Sequence, residues 1–302
     1  MIDLKEIKAA QRRLEGKIER TLLLSSDAIN KLVGKSVFFK AENRQTTGSF
    51  KIRGALNAVL LAPNAIGYIA FSSGNHGKAL AYAAKLAGKP CVIVMPEDTP
   101  EYKKKIAREY GAEVVSNGVT IINRIEKVAE LTEQTSYEFI PPYDDYWVIA
   151  GQGTLALEIL DDQPDVQAIL VAVGGGGLIS GVASAVKQLN PKIEVIGVEP
   201  EVANDAQQSL EKGERVSLTS IPETIADSVR TMILGEKTFP IIQETVERIV
   251  TVPEGITKKA VKILEDLLGE KVEPTAAMTF APLLMDYDLP EKVAVILCGK
   301  SE

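Results

Sequence analysis

The chain has 302 residues, 45% of them hydrophobic and 25% charged, with a formal net charge of −7. That length exceeds one small core and suits two domains, and the acidic balance excludes nucleic acid as the main partner, because phosphate backbones demand clustered cations. Two cysteines give no disulfide framework, no CxxC pair exists, and the single histidine, His76, rules out a histidine-rich zinc site or a serine–histidine–aspartate triad elsewhere.

In chain order, the N-terminus Met1-Ile2-Asp3-Leu4-Lys5-Glu6 is amphipathic and charged and lacks the apolar core of a signal peptide. No stretch approaches the roughly 18 uninterrupted apolar residues of a membrane span, so a cytoplasmic protein with no membrane partner is expected. Strands are expected at Val37–Ala41, Tyr68–Phe71, Cys91–Met95, Glu113–Val115, Ala168–Val173, Ile193–Glu199, Arg248–Thr251 and Lys292–Leu297. Helices are expected over 50–61, 75–88, 100–110, 118–134, 151–162, 177–190, 203–212, 256–269 and 274–287, with Gly88, Gly111, Gly213 and Gly269 where helices should stop. This alternation predicts an α/β protein with parallel-type twisted sheets flanked by helices on both faces. The turn chemistry of Pro141-Pro142-Tyr143-Asp144-Asp145 marks a seam. A self-sufficient β/α series before it predicts a small domain, 61–144, inserted into a larger one made of 1–60 and 145–302. Cys91, among apolar neighbours, is expected to be buried, and Lys103–Lys105, the densest basic run, to lie on a solvated helix face.

Three segments carry chemistry. Gly48-Ser49-Phe50-Lys51-Ile52-Arg53-Gly54 sets a lone lysine at a helix start. Ser72-Ser73-Gly74-Asn75-His76-Gly77 is a polar turn after a strand. Gly174-Gly175-Gly176-Gly177 follows the apolar run from Ala168 to Val173 and precedes an apolar helix. Consecutive glycines at that place let backbone N–H groups close around an anion, and the helix N-terminus adds partial positive charge. The G-x-G-x-x-G spacing is absent, since Gly175-x-Gly177-x-x runs into Ser180, and no G-x-x-x-x-G-K-[ST] loop occurs. A phosphate monoester therefore fits better than a dinucleotide or a triphosphate. Lysine, amide-rich turn and phosphate cradle together are what a lysine-bound pyridoxal phosphate requires.

With Ile149-Ala150-Gly151-Gln152-Gly153-Thr154 and Val272-Glu273-Pro274-Thr275-Ala276, these segments make the chain resemble fold-type II pyridoxal phosphate enzymes of the serine racemase and serine/threonine dehydratase group, nearly end to end. The resemblance implies two tryptophan synthase β-like domains, a homodimer, and pyridoxal 5'-phosphate held by Phe50, Lys51, Asn75, Gly174, Gly175, Gly176, Gly177, Glu273 and Cys298. It makes Lys51 the Schiff-base lysine and α-proton base and puts Ser73 on the opposite cofactor face, where many dedicated dehydratases carry alanine. Ser72, Ser73, Gly74, Asn75 and His76 would receive the substrate carboxylate. Cys298 would face the pyridine nitrogen; a thiol, with an ordinary pKa of about 8.5, does not hold that nitrogen protonated, which suits elimination over transamination. Glu199, Ala203 and Asp205 match the positions that bind magnesium or calcium in the metal-activated members, ions that take oxygen ligands.

The implied activity is β-elimination from L-threonine or L-serine. Serine racemisation, alone or combined with elimination, is the main alternative, and elimination from threo-3-hydroxyaspartate, which needs an extra basic residue toward the β-carboxylate, the next. Four departures bear on substrate preference: Pro141 in place of histidine, Tyr146 of proline, Ser228 of glycine, and Gly299-Lys300-Ser301 of Gly-Gly-Asn. The chain ends just past its last strand, so no C-terminal regulatory domain, and no feedback control through one, is expected.

Overall fold

The computed structural model describes residues 1–301. Its first helix, α1 (Leu4–Leu14), starts at Asp3, whose carboxylate caps Lys5 N at 2.8 Å, and buries Ile7, Ala10 and Leu14 along one face. β1 (Leu23–Leu24), α2 (Asp27–Val33) and β2 (Ser36–Lys40) follow, then α3 (Lys51–Leu61). Next comes an unbroken β/α series: β3 (Tyr68–Phe71), α4 (Asn75–Leu86), β4 (Cys91–Val94), α5 (Glu101–Glu109), β5 (Glu113–Val115), α6 (Arg124–Thr135) and β6 (Glu138–Phe139). The remainder comprises α7 (Tyr146–Asp162), β7 (Ala168–Ala172), α8 (Gly177–Leu189), β8 (Glu194–Pro200), α9 (Asp205–Lys212), α10 (Thr238–Thr245), β9 (Arg248–Val252), α11 (Glu254–Ile263), α12 (Pro274–Met278) and β10 (Lys292–Ile296).

Two sheets result, one of six strands in the order β1-β2-β10-β7-β8-β9 and one of four in the order β5-β4-β3-β6. Every pair is parallel except β1 with β2. β3, β4 and β7 are buried at every position, as strands covered by helices on both faces must be. The α/β class expected from the alternation is what is observed. Among the described residues no helix is long and apolar enough to cross a membrane.

α3 lies against α4 and α7. The approach to α7 is so close that a Cβ at Gly151 would collide with the Arg53 carbonyl, so only glycine fits there. A buried ionic network fixes the same contact. The Arg53 guanidinium makes two bonds of 2.8 Å to Glu42 and bonds of 2.6 and 2.9 Å to Glu158, while Lys40 reaches Glu158 at 2.7 Å. Burial would push the Glu42 carboxyl up, but Arg53, Thr21 and Lys40 together hold it below the ordinary range. Removing one member would leave a buried charge uncompensated, at about 3–5 kcal/mol. The network therefore clamps the first turn of α3, two residues past Lys51.

Several expectations need correction. α1, α2, α10, β1 and β6 have no counterpart among the expected elements. α6 begins at Arg124 rather than 118, and α7 at Tyr146 rather than 151, because Asp145 caps Trp147 N and Val148 N. The helix expected over 274–287 stops at Met278, and a separate 3-10 turn, Ala281–Leu284, follows; Pro282 removes a donor there, and the Thr279 hydroxyl is held by the Ala276 and Ile296 carbonyls. The basic run does not form a solvated face. Lys104 is buried and donates to Glu97 O at 2.8 Å, and Lys103 pairs with Asp227 at 2.9 Å, leaving Lys105 in solvent. Cys91 is buried, as expected, and burial pushes its thiol up to about 12.

Candidate active site

Ligands of open α/β sheets bind at the carboxyl ends of strands. Here the segment after β2 leads to Phe50 and Lys51, that after β3 to Ser72–Gly74, that after β7 to Gly174–Gly177, and that after β10 to Cys298. All of them line one cavity, together with Asn75, His76 and Glu273. Every residue expected to bind cofactor or substrate is thus brought to the same space. Glu199, Ala203 and Asp205 lie outside that lining, where β8 passes into α9.

Lys51 is the first residue of α3. Its Nζ donates to the Pro142 carbonyl at 2.7 Å and lies 5.2 Å from the centre of the Phe50 ring. Burial lowers its pKa from 10.5 to about 8, opposed by Cys298 and Glu273. Cys298 is itself pushed well above 9, first by burial and then by Glu273, so at neutral pH it is a thiol and carries no charge. A substantial fraction of Lys51 is then neutral near physiological pH, as a nucleophilic amine requires.

The glycine loop enters the first turn of the 13-residue α8. Gly176 sits at φ +91°, a region closed to most side chains, and a Cβ there would come within 2.8 Å of both Ile242 and Thr238. The Gly175 carbonyl is held away by the Thr238 hydroxyl at 2.7 Å and by Gly235 N at 3.3 Å. The N–H groups at the start of α8 have no partner within the helix and are available to an anion. Tyr143 lies across Gly175 and Gly177. Its neighbour Asp144 accepts from the backbone N–H groups of Glu236, Lys237 and Thr238, which secures the start of α10 behind the loop.

In the polar turn, Ser72 makes the local bond typical of turn serines, accepting from Gly74 N at 3.2 Å. Ser73 makes none and lines the cavity. His76 is buried, with Nε2 on the Ile140 carbonyl at 2.8 Å and Nδ1 unpartnered. A carbonyl only accepts, so Nε2 carries the proton. Burial, with Lys51 adding, lowers the ring to about 3, and it stays neutral. A neutral ring whose one proton is given to Ile140 has no side-chain donor left for an anion, so only the backbone N–H of His76 can serve one.

Glu273 occupies the end of the cavity beside Cys298. Asn75 Nδ2 donates to its two oxygens at 3.2 and 3.0 Å, Ser228 Oγ to one at 3.3 Å and Cys298 Sγ to the other at 3.6 Å. Sequence reasoning missed three further lining groups. Arg124 stacks its guanidinium 4.9 Å from the centre of Phe71 and leaves Nε buried and unpartnered. Thr231 has an unpartnered buried hydroxyl, and Lys103 and Asp227 enter the lining as an ion pair. None belongs to a contiguous motif; only the fold assembles them.

At the second site Glu199 and Asp205 are fully buried. Glu199 accepts from Ala206 N at 3.1 Å and Gln207 N at 2.8 Å, while both oxygens of Asp205 lack partners. Burial raises Asp205 to about 7, and burial together with Asp205 raises Glu199 well above 4.5. Two buried acidic side chains, one of them with both oxygens orphaned, fit a hard cation better than an empty core. Among the described residues no third histidine, cysteine or acidic side chain joins them, so a further ligand would have to be a carbonyl such as that of Ala203, or water.

A glycine loop that only glycine can form, a desolvated lysine and a thiol at the end of a parallel strand, all on one cavity, are the parts of an enzyme that works through a phosphate-bearing cofactor. The family of pyridoxal-phosphate dependent enzymes matches residues 14–299, and the chain belongs to it. It is 41% identical to the serine racemase of Dictyostelium discoideum over 99% of this chain and 94% of that one. It is likewise 41% identical to the L-threo-3-hydroxyaspartate ammonia-lyase of Saccharomyces cerevisiae, over 96% of this chain and 90% of that one. Among solved structures, the threonine deaminase of T.th. matches with a TM-score of 0.97 at 47% identity, covering 99% of this chain and 98% of the other.

Proposed function

We propose that this enzyme is a serine/threonine dehydratase, converting L-threonine or L-serine into a 2-oxo acid and ammonia. The observation that carries the reading is Lys51, whose amine is lowered to about 8 and opens onto a cavity shared with the glycine loop and the Ser72–His76 turn. Pyridoxal phosphate, joined to Lys51, supplies the electron sink that acidifies the substrate α-carbon. The amides at Gly174–Gly177 would hold its phosphate, Phe50 would pack on its ring, Asn75 would meet its hydroxyl and Cys298 its nitrogen. Lys51, displaced by the substrate amine, would take the α-proton, so that the α-proton and the β-hydroxyl leave together as water; Lys51 would then retake its place and free the product enamine, whose hydrolysis gives the 2-oxo acid and ammonia. Backbone groups of Ser72–His76 orient the substrate carboxylate, so reacting atoms are aligned before chemistry begins.

The unit 61–144 would close over the substrate and keep water from the reacting carbon, with the Lys103–Asp227 pair joining α5 to the 227–229 turn. Glu199, Asp205 and the Ala203 carbonyl hold magnesium or calcium. Two observations bear on a second reaction and a second substrate. Ser73 presents a hydroxyl to the cavity, which favours accompanying racemisation. Arg124 supplies the basic residue that a β-carboxylate would require, which favours activity on threo-3-hydroxyaspartate. The deciding experiment records the visible absorbance of the purified protein before and after borohydride, then assays 2-oxo acid from L-threonine and L-serine separately. A cofactor band abolished in Lys51→Ala and 2-oxo acid from at least one substrate are expected; a bound cofactor with no turnover of either rejects the dehydratase reading.

A further inference from the structure

Cys298 has one proton and two acceptors. Its Sγ lies 3.6 Å from Glu273 Oε1, at the strand end where the pyridine nitrogen of the cofactor is placed in the reading above. Asn75 is divided in the same way, since both oxygens of Glu273 accept from its Nδ2. Glu273 is therefore in contact with both side chains proposed to meet the polar edge of the ring. Ser228, the hydroxyl this chain carries in place of a glycine, adds a third donor to the same carboxyl at 3.3 Å, and its own N–H is held by Thr275 Oγ1 at 3.3 Å.

We infer that Glu273 is a positioning residue that decides where the Cys298 proton goes, and that Ser228 tunes it. An ionised carboxylate draws the S–H toward itself and leaves the ring nitrogen without a donor. A protonated carboxyl no longer competes, and the S–H turns to the ring. The charged and titratable groups facing Glu273 are Lys78 on α4, Asp227 on the turn beside Ser228, Lys51 at the start of α3 and Cys298 after β10. Burial raises Glu273 to about 7, with Asp227 adding and Asn75, Lys78 and Cys298 opposing. Lys51 is consumed by the cofactor linkage and Cys298 titrates far higher, so Glu273 is the group of this cluster that changes charge near neutrality. The ring would then be a better electron sink on the acid side of that change.

This inference rests on the cofactor reading, and its test separates the two. The absorbance and fluorescence of the bound cofactor are followed in the holoenzyme between about pH 6 and 8, in wild type, Glu273→Gln, Ser228→Ala and Cys298→Ala, with substrate absent. Wild type should show one spectral step near neutrality. Glu273→Gln should be flat and resemble wild type at low pH, because an amide, like a protonated acid, leaves the thiol to the ring. Cys298→Ala should be flat as well. Ser228→Ala should move the step to higher pH, because the carboxylate has lost a donor. A step of unchanged midpoint in Glu273→Gln overturns the inference while leaving the cofactor reading intact; should that variant not load, an unchanged midpoint in Ser228→Ala overturns it equally. Wild type that binds no cofactor at all overturns both.

Discussion

Ser73 and Arg124 ask the sharpest questions of single side chains. Ser73 forms no turn bond of its own, whereas Ser72 does, so its hydroxyl is held for the cavity rather than for the backbone. On the proposed reading it hands a proton to the face opposite Lys51, a step racemisation needs and elimination does not. Ser73→Ala should therefore lose D-serine formation by about 100-fold, in line with a lost general acid, while pyruvate formation falls only a few-fold. Both products from L-serine are measured in one assay; equal losses would end that division of labour. Arg124 discriminates on charge instead. Its unpartnered Nε makes it ready for an anion, and a charge-assisted hydrogen bond contributes about 1.5–3 kcal/mol. Arg124→Gln should raise KM for threo-3-hydroxyaspartate about 10-fold or more and change KM for L-serine little. Parallel changes for both substrates would make Arg124 a wall of the pocket and not a reader of the β-carboxylate. The motif residues that gather around Lys51 were legible because they sit in short contiguous phrases. Arg124 was not, because a single arginine at a helix start resembles every other.

The glycine loop shows how an element makes a site that its residues alone do not. Its cradle depends on Gly176 at φ +91°, on the Thr238 hydroxyl that holds the Gly175 carbonyl back, and on Asp144, which caps α10 from 92 to 94 positions away. That distance explains why α10 escaped sequence reading: its start signal lies on another segment. α1 is the contrary case, since the Asp3 cap and the Ile7, Ala10, Leu14 spacing are both present in the sequence. The lysine run 103–105 misled for a related reason. Charge on a helix usually means solvent, yet the acceptors that draw Lys104 and Lys103 inward, the Glu97 carbonyl and Asp227, belong to other segments. Gly176→Ala tests the loop. A left-handed non-glycine residue costs about 1–3 kcal/mol, and the new Cβ would also press on Ile242 and Thr238. Cofactor affinity, followed by fluorescence titration, should weaken about 10-fold or more with Tm lowered by only a few degrees. A variant that binds as tightly as wild type would show that the cradle does not need this conformation.

Over the whole molecule, the buried acids set the balance between pH and stability. Glu199, Asp205 and Glu273 all titrate above their ordinary values when folded, chiefly through burial. Each binds its proton more tightly in the native chain than in the unfolded one, so stability is greatest while they are protonated and falls as pH rises through the window up to their folded values. His76 has the opposite sign. Its folded value of about 3, against 6.5, removes stability as pH falls below about 6.5; above that point the carboxyls lower stability as pH rises, and Lys51, at about 8 in the folded chain against 10.5, opposes them in part. Protein freed of cofactor and divalent ions should accordingly lose about 5 °C or more in Tm between pH 6.5 and 8. Magnesium should reverse this more strongly at pH 8 than at pH 6.5, because a cation binds the deprotonated carboxylates and competes with their protons. Asp205→Asn should reduce the pH slope, leaving the part due to Glu273, and abolish the magnesium effect, since its side chain neither titrates nor carries the charge the ion needs. Differential scanning fluorimetry across pH, with and without magnesium, reads all of this. A Tm that is level from pH 6.5 to 8, or a magnesium shift that survives in Asp205→Asn, would mean that the charge buried between β8 and α9 is compensated from within the fold and not by an ion.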